Sequence, residues 1–148
     1  MIEYHGWISL AFSDYHVGNN KQNEFLEKFK AYLELEFPEF LKSFGTILSH
    51  SVKDIFSING VHNHKGSIEF YPIQIFKWVA KNGPGSYGLL YIQDDEDSIE
   101  NHSDGFRVWV LKRGNLEETN DPFLSPFFPE CAKEFNEENP PKDLDFDH

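Results

Sequence analysis

The fold is decided by the stretch NGPGSYGLLYIQDDED, residues 82–97. Its first four residues, Asn-Gly-Pro-Gly, predict the end of a helix, because glycine and proline both interrupt helical hydrogen bonding. Residues 87–92 form a compact and almost entirely apolar run, which is typical of a strand in the middle of a sheet. The acids of residues 94–97 follow and predict a solvated loop. The stretch therefore predicts a helix end, a central strand and an acidic loop, in that order.

Two amphipathic helices are predicted on the N-terminal side of this stretch. Apolar residues recur at three- and four-residue spacing between Phe25 and Phe44, a period typical of a helix with one apolar face. Pro38 predicts that this helix ends near Glu36 or is kinked there. A second stripe with the same period runs from Ile68 to Ala80, and a proline is tolerated near the start of such a helix.

The remaining apolar runs predict strands. Residues 3–14 read as the first strand, and residues 47–52 and 55–58 read as a hairpin, with Asn59-Gly60 predicting a turn after it. Beyond the acidic loop, residues 106–111 are predicted to pair back as another strand. The order strand, helix, hairpin, helix, hairpin predicts an α+β domain, in which two helices pack on a mostly antiparallel sheet.

Length and composition fit one self-sufficient domain. The chain has 148 residues, of which 16% are aromatic, so it has enough large apolar groups to fill a core. We expect residues 1–126 to form the domain and residues 127–148 to form an acidic, proline-containing tail. A single cysteine, Cys131, predicts a reducing compartment without an internal disulfide. The N-terminus does not resemble a secretory leader and no apolar run is long enough to cross a membrane, so we expect a cytoplasmic protein.

The negative charge of the chain is concentrated in two places. The formal net charge is −12. Residues 115–148 hold ten acids and two lysines, whereas residues 94–104, called here the acidic loop, hold six acids and no lysine or arginine. Such a chain is not expected to bind nucleic acid or an anionic membrane, since both require lysine and arginine, and it should attract a basic protein. The acids of the acidic loop are Asp94, Asp95, Glu96, Asp97, Glu100 and Asp104.

Two motifs could carry metal chemistry. His62-Asn63-His64 places two histidines two residues apart, and a small metal-dependent hydrolase could use them together with the acidic loop. A third ligand is not evident, although a zinc site needs at least three protein ligands. The acidic loop could instead form a calcium-binding module, but consecutive acids between strands do not match the alternate spacing of an EF-hand. Both readings stay open as alternatives, and we expect no bound metal.

Two further motifs carry no predicted chemistry. The glycines of residues 83–88 precede a strand rather than a helix, so they do not predict a phosphate cradle. Cys131 lies among prolines and acids, where neighbouring negative charge raises the pKa of a thiol. We therefore predict no catalytic residue, no cofactor and no enzymatic activity.

Five islands of sequence together resemble a known family. The resemblance covers residues 3–126 and is strongest where the apolar run meets the acidic loop. Small departures occur at Lys65, Gly83 and Gln93, where arginine, alanine and arginine respectively are common in the family. The chain resembles the immunity protein 7 family of bacterial polymorphic toxin systems. The islands are Tyr4-His5-Gly6-Trp7, Asn59-Gly60 with Asn63-His64-Lys65, Pro84–Ile92 with Asp94–Asp97, Val108–Gly114 and Asp121–Pro126.

The resemblance implies a protein that binds and neutralises a toxin in the cell that produces both. The expected partner is the C-terminal domain of a cognate toxin with a basic surface, and a nuclease would have such a surface. The resemblance implies no catalytic residues in this chain, and it does not predict the oligomeric state of the protein. The residues predicted to contact the partner are the six acids of the acidic loop together with His62, Asn63 and His64.

Overall fold

The computed structural model describes residues 1–15, 18–43, 45–50, 52–66, 69–99, 102, 105–125 and 136–138. These residues form six strands, two long helices and one short helix. The predicted α+β class is confirmed. No helix among the described residues is long and apolar enough to cross a membrane. The elements are β1 (Ile2–Leu10), α1 (Asn19–Glu36), α2 (Phe40–Ser43), β2 (Gly45–Ser49), β3 (Asp54–His62), α3 (Tyr71–Asn82), β4 (Tyr87–Asp94), β5 (Arg107–Lys112) and β6 (Asn115–Asn120).

All six strands belong to one sheet in the order β2-β3-β1-β4-β5-β6. Every neighbouring pair is antiparallel, as predicted. The strand predicted to be central, β4, lies between β1 and β5. The two middle strands, β1 and β4, therefore come from distant parts of the sequence.

Both long helices pack on one face of the sheet, called here the helix face. Side chains along a strand alternate between two faces, and in β1 the residues Tyr4 and Ile8 are buried on the helix face. Phe29 of α1 contacts Phe56 of β3 edge-on, with ring centroids 5.1 Å apart. Tyr71, the first residue of α3, contacts Tyr4 in the same way at 5.7 Å. The core thus lies between the helices and the helix face, and the opposite face, called here the open face, carries neither long helix.

The ends of both long helices follow from their sequence. The first helix ends at Glu36, as predicted, and the amide of Phe37 donates to the carbonyl oxygen of Leu33 at 2.9 Å. Pro38 then prevents a further helical turn. In α3 the second residue is Pro72, a position where the missing amide hydrogen removes no helical hydrogen bond.

The predicted turn at Asn59-Gly60 is wrong. Both residues lie inside β3, where Asn59 pairs with His5 and Gly60 pairs with Tyr4 of β1. A Cβ atom on Gly60 would lie 2.6 Å from Cζ of Tyr4. Glycine is therefore needed here so that the buried Tyr4 ring can lie over the strand, and not because the chain turns.

The sixth strand was not predicted from the sequence. A two-residue turn, Arg113-Gly114, joins β5 to β6, and both residues have positive φ, 50° and 75°. This is the backbone conformation that tight hairpin turns require. The proposed tail, residues 127–148, and Cys131 lie outside the described residues apart from residues 136–138.

Candidate functional site

The acidic loop lies at the end of the sheet where β1 begins and β3 ends. The register places Asp94, the last residue of β4, opposite Ile2, and the amide of Asp95 donates to the carbonyl oxygen of Met1 at 3.2 Å. Four of the predicted acids, Asp94–Asp97, are described, whereas Glu100 and Asp104 lie outside the described residues. The described acids therefore lie at the end of a middle strand, beside the start of β1.

Two of these acids shape the loop itself. A carboxylate oxygen of Asp94 accepts a hydrogen bond from the amide of Glu96 at 3.0 Å, and one of Asp97 accepts from the amide of Ile99 at 2.9 Å. An aspartate carboxylate that accepts a hydrogen bond from the amide two residues further on commonly stabilises a turn. Asp94 and Asp97 therefore stabilise the loop conformation, and the carboxylate oxygens that do so are already engaged in hydrogen bonds.

The other two acids point outward. The side chains of Asp95 and Glu96 are 46% and 54% exposed, whereas that of Asp97 is 25% exposed. Asp97 also meets the imidazole of His102 at 3.3 Å. Asp95 and Glu96 are therefore the carboxylates that a partner would reach first.

A groove of about 310 Å³ lies between the acidic loop and the helix face. Its lining is apolar at Ile2, Ile73 and Trp109 and also includes Asp94 and Asp97. Two cations, Lys65 and Arg107, line the same groove, and the Arg107 guanidinium bonds Glu118 at 2.8 Å. The negative charge is thus partly compensated on this side. On the other side Asp95 forms an ion pair with the N-terminal ammonium of Met1 at 2.8 Å, and Glu96, which contacts His64, is the most exposed of these carboxylates.

The predicted His62-Asn63-His64 motif is divided by the end of the strand, because β3 ends at His62 and the next two residues lie beyond it. His62 points to the helix face, where its Nε2 bonds the hydroxyl of Tyr71 at 2.7 Å and its ring stacks on Tyr4 at 5.8 Å. His64 is exposed, and its Nδ1 meets Glu96 at 3.1 Å. Asn63 is exposed between them. The motif therefore places His64 and Asn63 beside the acidic loop and directs His62 into the fold.

His62 belongs to a buried hydrogen-bond network rather than to an open site. The hydroxyl groups of Tyr4 and Tyr71 are hydrogen-bonded to each other. Burial, together with the hydrogen bond to Tyr71, raises the pKa of Tyr4, and burial also raises the pKa of Tyr71. Both phenols are therefore protonated at neutral pH and available as donors, and His62 is half-buried against them.

The two metal-based alternatives receive no support from this arrangement. Within the part of the chain that the structure describes, no three histidine, cysteine, aspartate or glutamate side chains are grouped so that they could hold a metal ion. His62 and His64 bond different residues, and carboxylate oxygens of Asp94 and Asp97 are engaged within the loop. Neither the hydrolase nor the calcium module finds a ligand set among these residues.

The open face carries a second group of residues, which were not predicted from the sequence. Trp7 of β1 and Tyr87 of β4 are 41% and 43% exposed, and their rings meet edge-on with centroids 6.1 Å apart. The ammonium of Lys53 is hydrogen-bonded to the hydroxyl of Tyr87 and lies 5.1 Å from the centroid of that ring. The bond from Lys53 lowers the pKa of Tyr87, because it favours the phenolate. One signal could have revealed these residues: β4 is apolar at almost every position, although helices cover only one face.

A short polar chain crosses the open face between Trp7 and the acidic loop. The Nδ1 of His5 bonds Asn59 at 2.9 Å, and its Nε2 bonds Glu3 at 2.6 Å. Burial lowers the pKa of His5, but the hydrogen bonds with Glu3 and Asn59 outweigh it and raise the pKa overall. The end of the open face nearest the acidic loop is therefore polar and carries a carboxylate.

Comparison with known proteins gives one match. A family model described as Immunity protein 7 matches residues 1–133, which is most of the chain. No curated protein sequence matches the chain. No solved structure matches it.

Proposed function

We propose that this chain, which belongs to the immunity protein 7 family, binds a cognate toxin in the cytoplasm of the bacterium that makes both and blocks its activity. The observation that carries this proposal is the family match across residues 1–133. The chain acts by occupying a surface of the toxin and has no turnover of its own. The partner is the toxin's C-terminal domain.

The acidic loop supports a basic partner. Asp95 and Glu96 project from the sheet edge, and His64 lies beside Glu96. Exposed like charges attract an oppositely charged partner over a distance of about 8 Å at physiological salt, and they do so mainly by speeding association. A toxin that binds nucleic acid would present such a positive surface, and the loop would then cover the groove meant for phosphates.

The proposed contact set keeps the residues predicted from the sequence, with different roles. Asp95, Glu96, Asn63 and His64 meet the partner directly. Asp94 and Asp97 contribute charge while holding the loop in shape, and His62 fixes the end of β3 from which Asn63 and His64 project. Glu100 and Asp104 belong to the same acidic loop in the sequence.

Coexpression tests the function directly. A toxin C-terminal domain encoded next to this chain should arrest growth when expressed alone, and this chain should restore growth by forming a stoichiometric complex with it. A toxin domain from an unrelated system serves as the control and should not be neutralised. Continued growth arrest, with no complex detected by gel filtration of the mixed proteins, would refute the proposal.

Neutralising the two outward acids should slow association with the toxin. Asp95→Asn combined with Glu96→Gln removes two negative charges and keeps the loop's internal hydrogen bonds, which involve Asp94 and Asp97. It also removes the charge from the contacts of Asp95 with the N-terminal ammonium and of Glu96 with His64, both at the protein surface. We expect the association rate constant to fall about tenfold at low salt, because steering by charge accelerates encounter by roughly that factor or more. The difference should shrink as salt rises, since screening removes the same attraction.

A matched control carries the same change in net charge at a distant site. Glu34→Gln combined with Glu36→Gln alters two exposed acids on α1. Stopped-flow or surface plasmon resonance measurements across a salt series should separate the two double variants. Equal association rates for both would show that the acidic loop serves only solubility.

A further inference from the structure

The open face carries an apolar patch that spans four strands. We define the aromatic patch as Leu48, Ile55, Trp7, Tyr87 and Leu89. The register makes these residues neighbours, because Leu48 pairs with Ile55, and Trp7 pairs with Leu89, and cross-strand partners share a face. Leu48 is 65% exposed at the edge strand. Nearer the acidic loop the apolar surface of the open face is partly covered, because Phe106 packs against Tyr91 with ring centroids 6.2 Å apart.

This composition differs from that of an ordinary solvent-facing sheet. The exposed face of an antiparallel sheet is normally polar, whereas surfaces that bind proteins are enriched in tryptophan and tyrosine. Trp7 and Tyr87 are also held in place before any partner arrives, since their rings contact each other and Lys53 holds the hydroxyl of Tyr87. Side chains already fixed in this way lose little conformational entropy on binding.

Charge identifies the kind of occupant. The aromatic patch is bordered towards the acidic loop by Glu3, and beyond it by Asp95 and Glu96. A second copy of the chain would bring two molecules of formal charge −12 together, and such repulsion opposes self-association. At the opposite end of the patch Lys53 contacts Tyr87 and Lys112 pairs with it, so only the border towards the acidic loop is acidic. A protein whose basic side chains lie on that side would meet both the apolar and the acidic parts favourably.

We propose that the aromatic patch is the affinity-determining half of the toxin-binding surface, where Trp7 and Tyr87 anchor an apolar patch of the toxin whose border is basic. This inference rests on the proposed function and assigns separate tasks to the two parts of the surface. The acidic loop speeds encounter. The aromatic patch slows dissociation, because buried aromatic anchors mostly determine how long a complex lasts.

The test compares exposed apolar residues on the two sides of the molecule. Trp7→Ala should weaken binding of the adjacent toxin's C-terminal domain about 30-fold or more, the size expected for loss of a hot-spot residue, with the change in the dissociation rate. Leu48→Lys, at an exposed edge position, provides a second variant that leaves the centre of the sheet intact. Leu35→Ala on α1 is the matched control, since Leu35 is 79% exposed, and it should leave the affinity unchanged. Circular dichroism and thermal unfolding confirm that each variant is folded.

The outcomes separate this inference from the proposed function. If the wild-type chain binds the toxin domain and both patch variants bind it equally well, the aromatic patch inference is wrong and the proposed function stands. If the wild-type chain forms no complex, the proposed function fails as well. If Trp7→Ala converts a dimer into a monomer in sedimentation, the patch serves a second copy and the inference is overturned.

A spectroscopic measurement excludes coverage by the chain itself. The chain has three tryptophans, so the full chain labelled with 5-fluorotryptophan should give three fluorine resonances, and Trp7→Phe assigns one of them. In the free protein the Trp7 resonance should be broadened by a soluble paramagnetic agent, and the toxin domain should protect it. Protection already present in the free monomer would show that another segment of this chain covers the patch, which would overturn the inference.

Discussion

Replacing Phe29 with alanine is expected to lower the free energy of unfolding by about 3–5 kcal/mol. Phe29 has no exposed surface, and its ring lies at the junction of α1, β3 and α3. It contacts Phe56 edge-on at 5.1 Å and stacks on Trp78 at 5.5 Å. The substitution removes a whole ring and leaves a cavity between rings that are themselves held by other contacts, so the cavity closes only in part.

A loss of this size is a large share of the stability of a single domain, which is about 5–15 kcal/mol. Urea denaturation followed by far-ultraviolet circular dichroism measures it, and Leu35→Ala on the same helix is the control because Leu35 is exposed. A loss below about 1 kcal/mol for Phe29→Ala would mean that α1 is not packed on β3 as described. Under the proposed function, the variant should also neutralise toxin less well in cells at raised temperature, because less of it is folded.

Replacing Gly88 with alanine is expected to destabilise the fold by about 3 kcal/mol or more, the upper end of the range for overpacking. A Cβ atom at this position would overlap the backbone carbonyl oxygen of Trp7 and lie 2.9 Å from Cα of Ile8. Gly88 pairs with Ile8 between the two middle strands. Relief of the overlap would require β1 and β4 to move apart, and this would weaken the hydrogen bonds between the two middle strands of the sheet.

The same substitution at Gly6 is a close control, since Gly6 lies in the same strand pair. There the nearest atom to the new Cβ is Cδ1 at the end of the Leu90 side chain, at 2.9 Å, and the nearest backbone atom, the carbonyl oxygen of Leu89, is 3.2 Å away. Gly6→Ala should therefore cost clearly less than Gly88→Ala when the two are compared by thermal unfolding. Equal losses would mean that β1 and β4 approach each other less closely than described.

The main elements of the fold could be predicted because their apolar periodicity is strong. The stripe from Phe25 onward is long and has a clear helical period, and the run ending at Ile92 is short but apolar at almost every position. β6 could not be predicted in this way, because its only large apolar residue is Leu116 and the strand lies at the edge of the sheet, where polar side chains are tolerated. The Asn59-Gly60 prediction failed for a different reason: the glycine serves a distant ring, Tyr4, and a local turn signal does not distinguish these two uses.

The candidate site was only partly predictable. The acidic loop was selected by its charge, but charge does not show which carboxylates bind the loop's own amides, as Asp94 and Asp97 do. The different directions of His62 and His64 arise because β3 continues past Gly60 and ends at His62, and the sequence predicted a turn at Asn59-Gly60 instead. Trp7 and Tyr87 come together only because β1 pairs with β4, a contact between residues 80 positions apart along the chain.

The placement of β1 in the middle of the sheet also governs when this protein can begin to act. Both partners of β1, β3 and β4, lie later in the chain, so the pairing of β1 with β3 is complete only when residue 62 has been made and its pairing with β4 only when residue 94 has been made. Contacts between such distant residues make folding slow compared with that of a helical bundle. Most of the chain must therefore be synthesised before the sheet can form around β1. Under the proposed function, a bacterium that starts to translate toxin and inhibitor at the same moment would be exposed for that interval, and we expect it to be safest when this chain is made first or in excess.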